Sequence, residues 1–407
     1  MNKILYVVSV FPSTSATFVL NEMLKLKERG FEIEIISLRK PKNEIFQPGI
    51  EEFKKVTYIP HVKQNKMDGI KLIGSNFKYL LHNPKKYISG LVCAIKGKSY
   101  NLFYDFLRAV YLIQNIDLSE INHIHSQFAH TPTSLAYFIS ILINKQYSFT
   151  CHAVDIFVQN SLFEEKLSRS KFAVTISDFN KNYINDLVED KALTNKIKII
   201  RCGVNYEEFK PPVKKQNNNR VRLLSVGRFV EKKGFIYLVD ALKILDQKGI
   251  NFECDIIGNG PLFEMIKCKV RDYELDNKIN LLGAQSSGKI KEYLCKADIF
   301  VLPCVKSENG DMDGIPVSIM EAMSFEIPVI STNISGIPEL IKNEENGLIV
   351  EEKNSIEFAN AIQLLIQNNQ LRSIYGQNGR NFIIKEFGIN ENVHKLVELF
   401  VEIEDSK

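Results

Sequence analysis

Short apolar, β-rich runs and longer amphipathic segments alternate along this chain, stop near residue 211, and then start again. "KILYVVS" reads as a strand, "ATFVLNEMLKLKERG" as a helix and "FEIEIISL" as the next strand, with Gly30 closing the helix where glycine turns left-handed without a Cβ clash. "KVTYIP", "INHIHS", "YSFTC", "FAVTIS" and "KIKIIR" continue the series. "PPVKKQNNNR", beginning at Pro211, is Pro-rich and then polar, and reads as a linker. Beyond it come "VRLLSVG", "FECDIIG", "KINLLG", "ADIFVLP", "IPVIST" and "GLIV". Alternation of this kind specifies parallel sheets covered by helices on both faces.

The pattern therefore predicts an α/β chain of two Rossmann-like, doubly wound domains facing a cleft, over residues 1–210 and 211–385. A terminal amphipathic helix, 386–407, is expected to return toward the first domain. A length of 407 residues suits two cores better than one. In such sheets ligands bind at the carboxyl ends of the strands. One segment, about 62–115, breaks the alternation and reads as a helical insertion. Between Lys54 and Arg108 there are eleven Lys/Arg against two acids. A basic amphipathic insertion suits an anionic membrane surface or an anionic, lipid-linked ligand, and a solvated helical face is the plain alternative.

Composition narrows the classes. A net charge of +4 is too small to argue for nucleic acid, and none is expected as a partner. The seven cysteines contain no Cys-x-x-Cys pair, which suits free thiols in a reducing compartment better than disulfides or zinc. The longest apolar run, "LAYFISILI", falls short of the ~18 residues of a membrane span. "MNKILYVVSVFP" is short in its apolar part and alternates, so it is read as a first strand and not as an export signal, and a cytoplasmic protein is expected.

Candidate chemistry concentrates in the second half. "SVGRFVEKKGF" ends a strand at Gly227 and places Arg228 and Lys233 before a helix N-terminus, an arrangement that suits an anion. "DIIGNGP" follows a strand with glycines, including Gly258, that admit a close backbone approach or form a plain turn. It is not the dinucleotide fingerprint. In "ENGDMDGIPVSIMEAMS", Asp313 reads as a helix cap, and Pro316 is acceptable in the first helical turn. Glu321 lies in an otherwise apolar helix, where a carboxylate wants hydrogen-bond donors such as two ribose hydroxyls. In the first half, His152 follows a strand end, and His123 and His125 share one strand face, where ordinary packing is the alternative.

Together, "GR…KKG", "IGNGP" and "DGIPVSIMEAMSFEIPVI" resemble the retaining glycosyltransferases of family four, which have the GT-B fold. "FPSTSATFVLNEM", "HIHSQFAH", "FTCHAVDIF" and "IIRCGVNYEEFKP" resemble the exopolysaccharide branch, colanic-acid type included. The resemblance implies a nucleotide-sugar donor, UDP- or GDP-linked, as co-substrate with no further cofactor. It also implies a glycan or lipid-linked acceptor, and the membrane reading of the basic insertion would place the protein on the inner face of the plasma membrane. Arg228 and Lys233 would hold the diphosphate and Glu321 the ribose. Gly258, Leu282, Gly314, Ile315, Pro316 and Val317 would line the donor. Asp313 takes the place of the family's first acid, one methylene shorter, and with His152 would stand near the reacting sugar. Thr17, Phe18, His125 and Asp155 would lie on the acceptor side.

Asp311-Met-Asp313 also matches the metal-binding Asp-x-Asp of a different glycosyltransferase fold. Because Arg228, Lys233 and the helix N-terminus supply the cationic roles, no metal is expected. Asp313 is expected to cap the helix and Asp311 to be dispensable. An epimerase acting on nucleotide-sugars and a non-catalytic solute-binding module are the other readings.

Overall fold

The structure, a computed structural model, describes residues 3–13, 16–41, 47–60, 66–211 and 220–405. They fall into two compact units, one built from 1–176, 180–200 and 393–407, the other from 177–179 and 201–392.

The first unit holds β1 (Lys3–Val10), β2 (Glu32–Arg39), β3 (Val56–Tyr58), β4 (His123–Gln127), β5 (Tyr147–Cys151), β6 (Ala173–Thr175) and β7 (Ile197–Ile199). They form one sheet in the order β3-β2-β1-β4-β5-β6-β7, with every pairing parallel. β4 carries two histidines and is nevertheless wholly buried. Its neighbour β5 supplies the hydroxyls that make this tolerable: His123 Nε2 and His125 Nδ1 both meet Ser148 Oγ, at 2.7 and 2.8 Å, and His125 Nε2 meets Thr150 Oγ1 at 3.0 Å. Burial lowers the pKa of His125, and both of its nitrogens are occupied. The expectation that His125 faces an acceptor is therefore corrected, since it is a packed core residue beneath Phe400. Phe400 belongs to the terminal helix Ile389–Asp405, whose residues from Val393 onward cluster with this unit.

The insertion consists of helices Lys66–His82, Pro84–Lys96 and Tyr100–Asn115. The third buries Leu102, Phe106, Ala109 and Leu112, four positions on one helical face, and packs on the helix Thr131–Ile143.

The second unit holds β8 (Val221–Val226), β9 (Phe252–Ile257), β10 (Ile279–Leu281), β11 (Ile299–Val301), β12 (Val329–Thr332) and β13 (Gly347–Val350). Their order is β10-β9-β8-β11-β12-β13, again all parallel. Each sheet reverses its order at one point, between β1 and β4 and between β8 and β11, which is where open α/β sheets leave a crevice. The chain passes to the second unit at Arg201, before the Pro-rich stretch. Residues 201–211 are stitched there by Val204 N–H donating to Phe387 O and by Arg380 donating to Phe209 O. Of the expected linker, residues 212–219 lie outside the described residues.

Candidate active site

β8 ends at Val226, and the chain turns through Gly227 and Arg228 into a short 3-10 segment, Glu231–Lys233. Gly234 then opens the helix Phe235–Gln247 with a φ of +64°. A Cβ on Gly234 would lie 1.8 Å from Pro303 O, so only glycine lets this loop press against the end of β11. Gly258, at a φ of +146°, stands under the same constraint, 1.8 Å from Gly227 O. The two glycines thus bring three strand ends together.

Into that junction come both lysines of "EKKG" and both acids of "DMD". Lys233 Nζ lies 2.5 Å from Asp313 Oδ2. Lys232 Nζ lies 3.0 Å from Asp311 Oδ2 and 3.5 Å from Asp313 Oδ1. Cys304 donates its thiol to Asp313 Oδ2 at 3.6 Å. Burial opposes the charge of Asp313, yet Lys233 and Lys232 outweigh it and hold its pKa below the usual carboxylate range. Burial likewise opposes the charge of Lys233, and Asp313 raises its pKa in turn. Arg228 is exposed, close enough to Lys233 to oppose its charge. The Lys233 stem packs over Gly227. Lys233 and Arg228 therefore form one cationic edge, with Lys232 set deeper.

Two expectations are corrected here. Asp313 does not cap a helix: the helix begins at Val317, its N-cap is Pro316, and no side chain bonds the cap position. The lysines take the carboxylate instead, because two buried ammonium groups need an anion more than one helix end needs an acceptor. Asp311 is no bystander, since it is the nearer partner of Lys232, which is buried.

Gly314, Ile315 and Pro316 are buried between these acids and the helix, and Gly314 O accepts from Gly336 N–H. Val317 opens the helix Val317–Ser324, in which Ile319, Met320, Ala322 and Met323 are buried. Glu321 sits among them, and burial raises its pKa to about 7 with Lys291 as the opposing charge. Leu282 packs against the second unit's core, just past β10.

In the first unit, His152 follows β5 and is buried, its ring held between Phe18 and Phe128 at centroid distances of 4.8 and 4.7 Å. Burial lowers its pKa to about 4, against the pull of Asp155, so it is a neutral imidazole at pH 7. Its Nε2 meets Gln127 Oε1 at 2.9 Å. Gln127 donates from Nε2 to Glu22 Oε1 at 2.8 Å, and Tyr6 Oη donates to the same oxygen at 2.8 Å. Burial raises Glu22 to about 7. Gln127 and Glu22 escape sequence reasoning, although Glu22 betrays itself as Glu321 does. It is an acid beside the buried Val19 and Met23 of its helix. Thr17 opens that helix. Asp155, fully buried, accepts from the backbone N–H of Ala129, His152 and Ala153. It shapes the loop that carries His152, and the expectation that it faces the acceptor is corrected accordingly.

With this geometry in view, similarity to known proteins becomes specific. Residues 207–382 match the family described as glycosyl transferases group 1. Over 374 residues the chain is 28% identical to the amylovoran biosynthesis glycosyltransferase AmsK of Erwinia amylovora, covering 90% of this chain and 91% of that one. Over 220 residues it is 29% identical to an Escherichia coli UDP-Gal:alpha-D-GlcNAc-diphosphoundecaprenol alpha-1,3-galactosyltransferase, covering 51% and 54%. The structure superposes on a glycosyltransferase from Rickettsia africae ESF-5 with a TM-score of 0.71 at 20% identity, covering all of both chains. The second unit carries a glycosyl transferases group 1 domain, and the chain is a glycosyltransferase of the GT-B fold.

Proposed function

We propose that this enzyme moves a sugar from a UDP- or GDP-linked donor to a lipid-linked glycan in the assembly of a bacterial surface polysaccharide, retaining anomeric configuration. The observation that carries the reading is the cationic edge of Lys233 and Arg228 at the β8–β11 crevice, backed by Asp313, with Glu321 on the helix that follows. Breaking a sugar–phosphate bond builds negative charge on the departing diphosphate, and preorganised cations stabilise that charge. Lys233 would turn from Asp313 to the diphosphate as the donor enters. Asp313, held ionised, would then face the donor sugar. Glu321 would accept from the ribose hydroxyls. In the first unit a neutral His152, whose one N–H is turned to Gln127 Oε1, would accept a hydrogen bond from a hydroxyl of the acceptor or the reacting sugar.

The relatives support the biological setting: one is named for amylovoran biosynthesis, another for transfer onto a diphosphoundecaprenol-linked sugar. Transfer assays with UDP- and GDP-sugars onto a prenyl-diphosphate-linked sugar test the reading. Donor hydrolysis or epimerisation without any transfer would sink it.

Both acids of "DMD" are already engaged by ammonium groups, so a divalent ion would have to displace Lys232 or Lys233. Turnover is therefore expected to persist in excess EDTA. Loss of turnover that manganese or magnesium restores would overturn the assignment.

Membrane contact belongs to the same proposal. No helix among the described residues is long and apolar enough to cross a membrane. The insertion, however, exposes Met67, Ile70, Ile73, Phe77 and Leu81 at helical spacing on one helix, and Ile88, Val92 and Ile95 on the next. Lys71, Lys78, Lys85, Lys86 and Lys96 lie on the same two helices. Apolar rows interleaved with lysines suit an anionic bilayer surface. The protein is expected to float with anionic liposomes, less with neutral ones, and less again as salt rises from about 0.1 to about 1 M. Phe77→Asp with Leu81→Asp should abolish flotation and change stability by less than about 0.5 kcal/mol. Flotation unchanged by both substitutions would remove the insertion from the contact.

A further inference from the structure

At the β1–β4 crevice of the first unit lies a cavity of about 780 Å³, within the usual range for small-molecule sites. None of the residues considered so far as donor-binding lines it. Most of its wall is apolar, including Phe11, Leu20, Leu38 and Leu72. Its cationic members are Arg39 at the end of β2 and Arg108 on the helix Tyr100–Asn115.

Arg108 is the unusual feature. It is only 5% exposed, its guanidinium lies 4.0 Å over the Tyr104 ring, and Asp105 Oδ1 stands 3.6 Å from its Nη1. Its Nε has no hydrogen-bond partner. A guanidinium presents five donors, and burying it with so little compensation is costly unless an anion completes the set. His130, which also lines the cavity, has a buried Nδ1 without a partner; burial lowers its pKa, Asp155 opposes that, and Lys166 and Arg39 add to it.

The lining joins two regions described above. It includes Gln127 and Phe128, the residues that hold His152. It also includes Ile73 and Tyr100, which are 70% and 76% exposed, and Ile73 belongs to the apolar row of the insertion. Tyr100, Tyr104 and Arg108 follow one another at four-residue spacing on the helix Tyr100–Asn115, so they share one face of it.

We infer that this cavity holds the phosphate-bearing head and the first apolar carbons of a prenyl-diphosphate-linked acceptor, with Arg108, Arg39 and His130 around the diphosphate and the prenyl chain leaving past Ile73 and Tyr100. This rests on the glycosyltransferase reading above and names the acceptor's binding site within it. The sugar to be extended would then stand toward His152.

The test is binding of farnesyl diphosphate to the full-length protein by calorimetry, beside farnesol, inorganic diphosphate and a short-chain phosphatidylglycerol below its micelle concentration. Farnesyl diphosphate is expected to bind at least tenfold more tightly than each of the others, since each lacks the chain, the diphosphate or the fit. Arg39→Ala and Arg108→Gln should each weaken it about tenfold, the scale of one hydrogen bond to a charged group. UDP-sugar affinity should stay unchanged in both. Arg39 is exposed, so its variant reads binding without risk to the fold should Arg108→Gln unfold. Equal affinity in wild type and Arg39→Ala, displacement of farnesyl diphosphate by UDP, or equally tight phosphatidylglycerol would each overturn the inference. If a UDP- or GDP-sugar binds and is turned over while farnesyl diphosphate does not bind, this inference fails alone. If farnesyl diphosphate binds as expected but no nucleotide-sugar does, the donor assignment fails and the cavity stands.

Discussion

Lys233→Ala is expected to weaken nucleotide-sugar binding and lower kcat/KM by about 10- to 150-fold, the range of a charge-assisted contact of about 1.5–3 kcal/mol. A second effect runs alongside it. Asp313 lies 2.5 Å from Lys233 and 3.5 Å from Lys232, so the substitution leaves a buried carboxylate with its more distant ammonium and the Cys304 thiol. Some stability should be lost for that reason alone, because an uncompensated buried charge costs more than the pair contributed. Adding Asp313→Asn removes the stranded charge. The double variant should regain thermal stability but not donor affinity. Recovery of affinity as well would mean that Lys233 acts only by holding Asp313. Arg228→Ala supplies the complementary case: the residue is exposed, so affinity should fall with stability intact. Wild-type affinity in both single variants would dismiss the diphosphate assignment.

Glu321→Gln is expected to weaken UDP-sugar binding about 10- to 100-fold, and to weaken the 2′-deoxyribose analogue less. The carboxylate accepts from two ribose hydroxyls in this assignment, and the deoxy analogue retains one. A pH effect follows with a definite sign. Burial raises Glu321 to about 7 in the free protein, so near that pH much of it is protonated. Ribose hydroxyls donate to the ionised form and stabilise it, which lowers the pKa on binding. Binding should therefore release a proton at about pH 6.5, and affinity should rise as pH climbs through about 7. Calorimetry of a UDP-sugar, whose phosphates are fully esterified and do not titrate there, should show a heat that depends on the buffer's ionisation enthalpy. In Glu321→Gln that dependence should vanish. Equal losses for the ribose and deoxyribose ligands, or a buffer dependence that survives the substitution, would make Glu321 a residue of the fold.

Residue patterns pointed to the residues proposed for the donor because their signals are local. "GRFVEKKG" carries its cations and its turn glycine within eight residues, and Glu321 announces itself as an acid inside an apolar helix. Asp313 was visible as an acid before a helix, but its partner was not. A capping role depends on a few neighbouring amides, whereas the ion pair with Lys233 depends on two loops meeting at the ends of β8 and β11. His125 misleads for a similar reason. Its strand neighbours in sequence say nothing of Ser148 and Thr150, which lie beside it only through the β4–β5 register.

By itself, the order of apolar and polar residues determined the class of this protein: two parallel-sheet α/β units, a basic helical insertion, and loops at strand ends that carry cations and glycines. Those are properties of period and of short-range conformation, and each is written within one element and its turn. Tertiary structure alone decided which charges meet, which histidines are core, and that Arg108 faces a cavity with its Nε unpaired. The physical reason is that a parallel sheet sets side by side segments distant in the chain. Charge pairing and burial act over a few ångströms of space, whatever the separation in sequence.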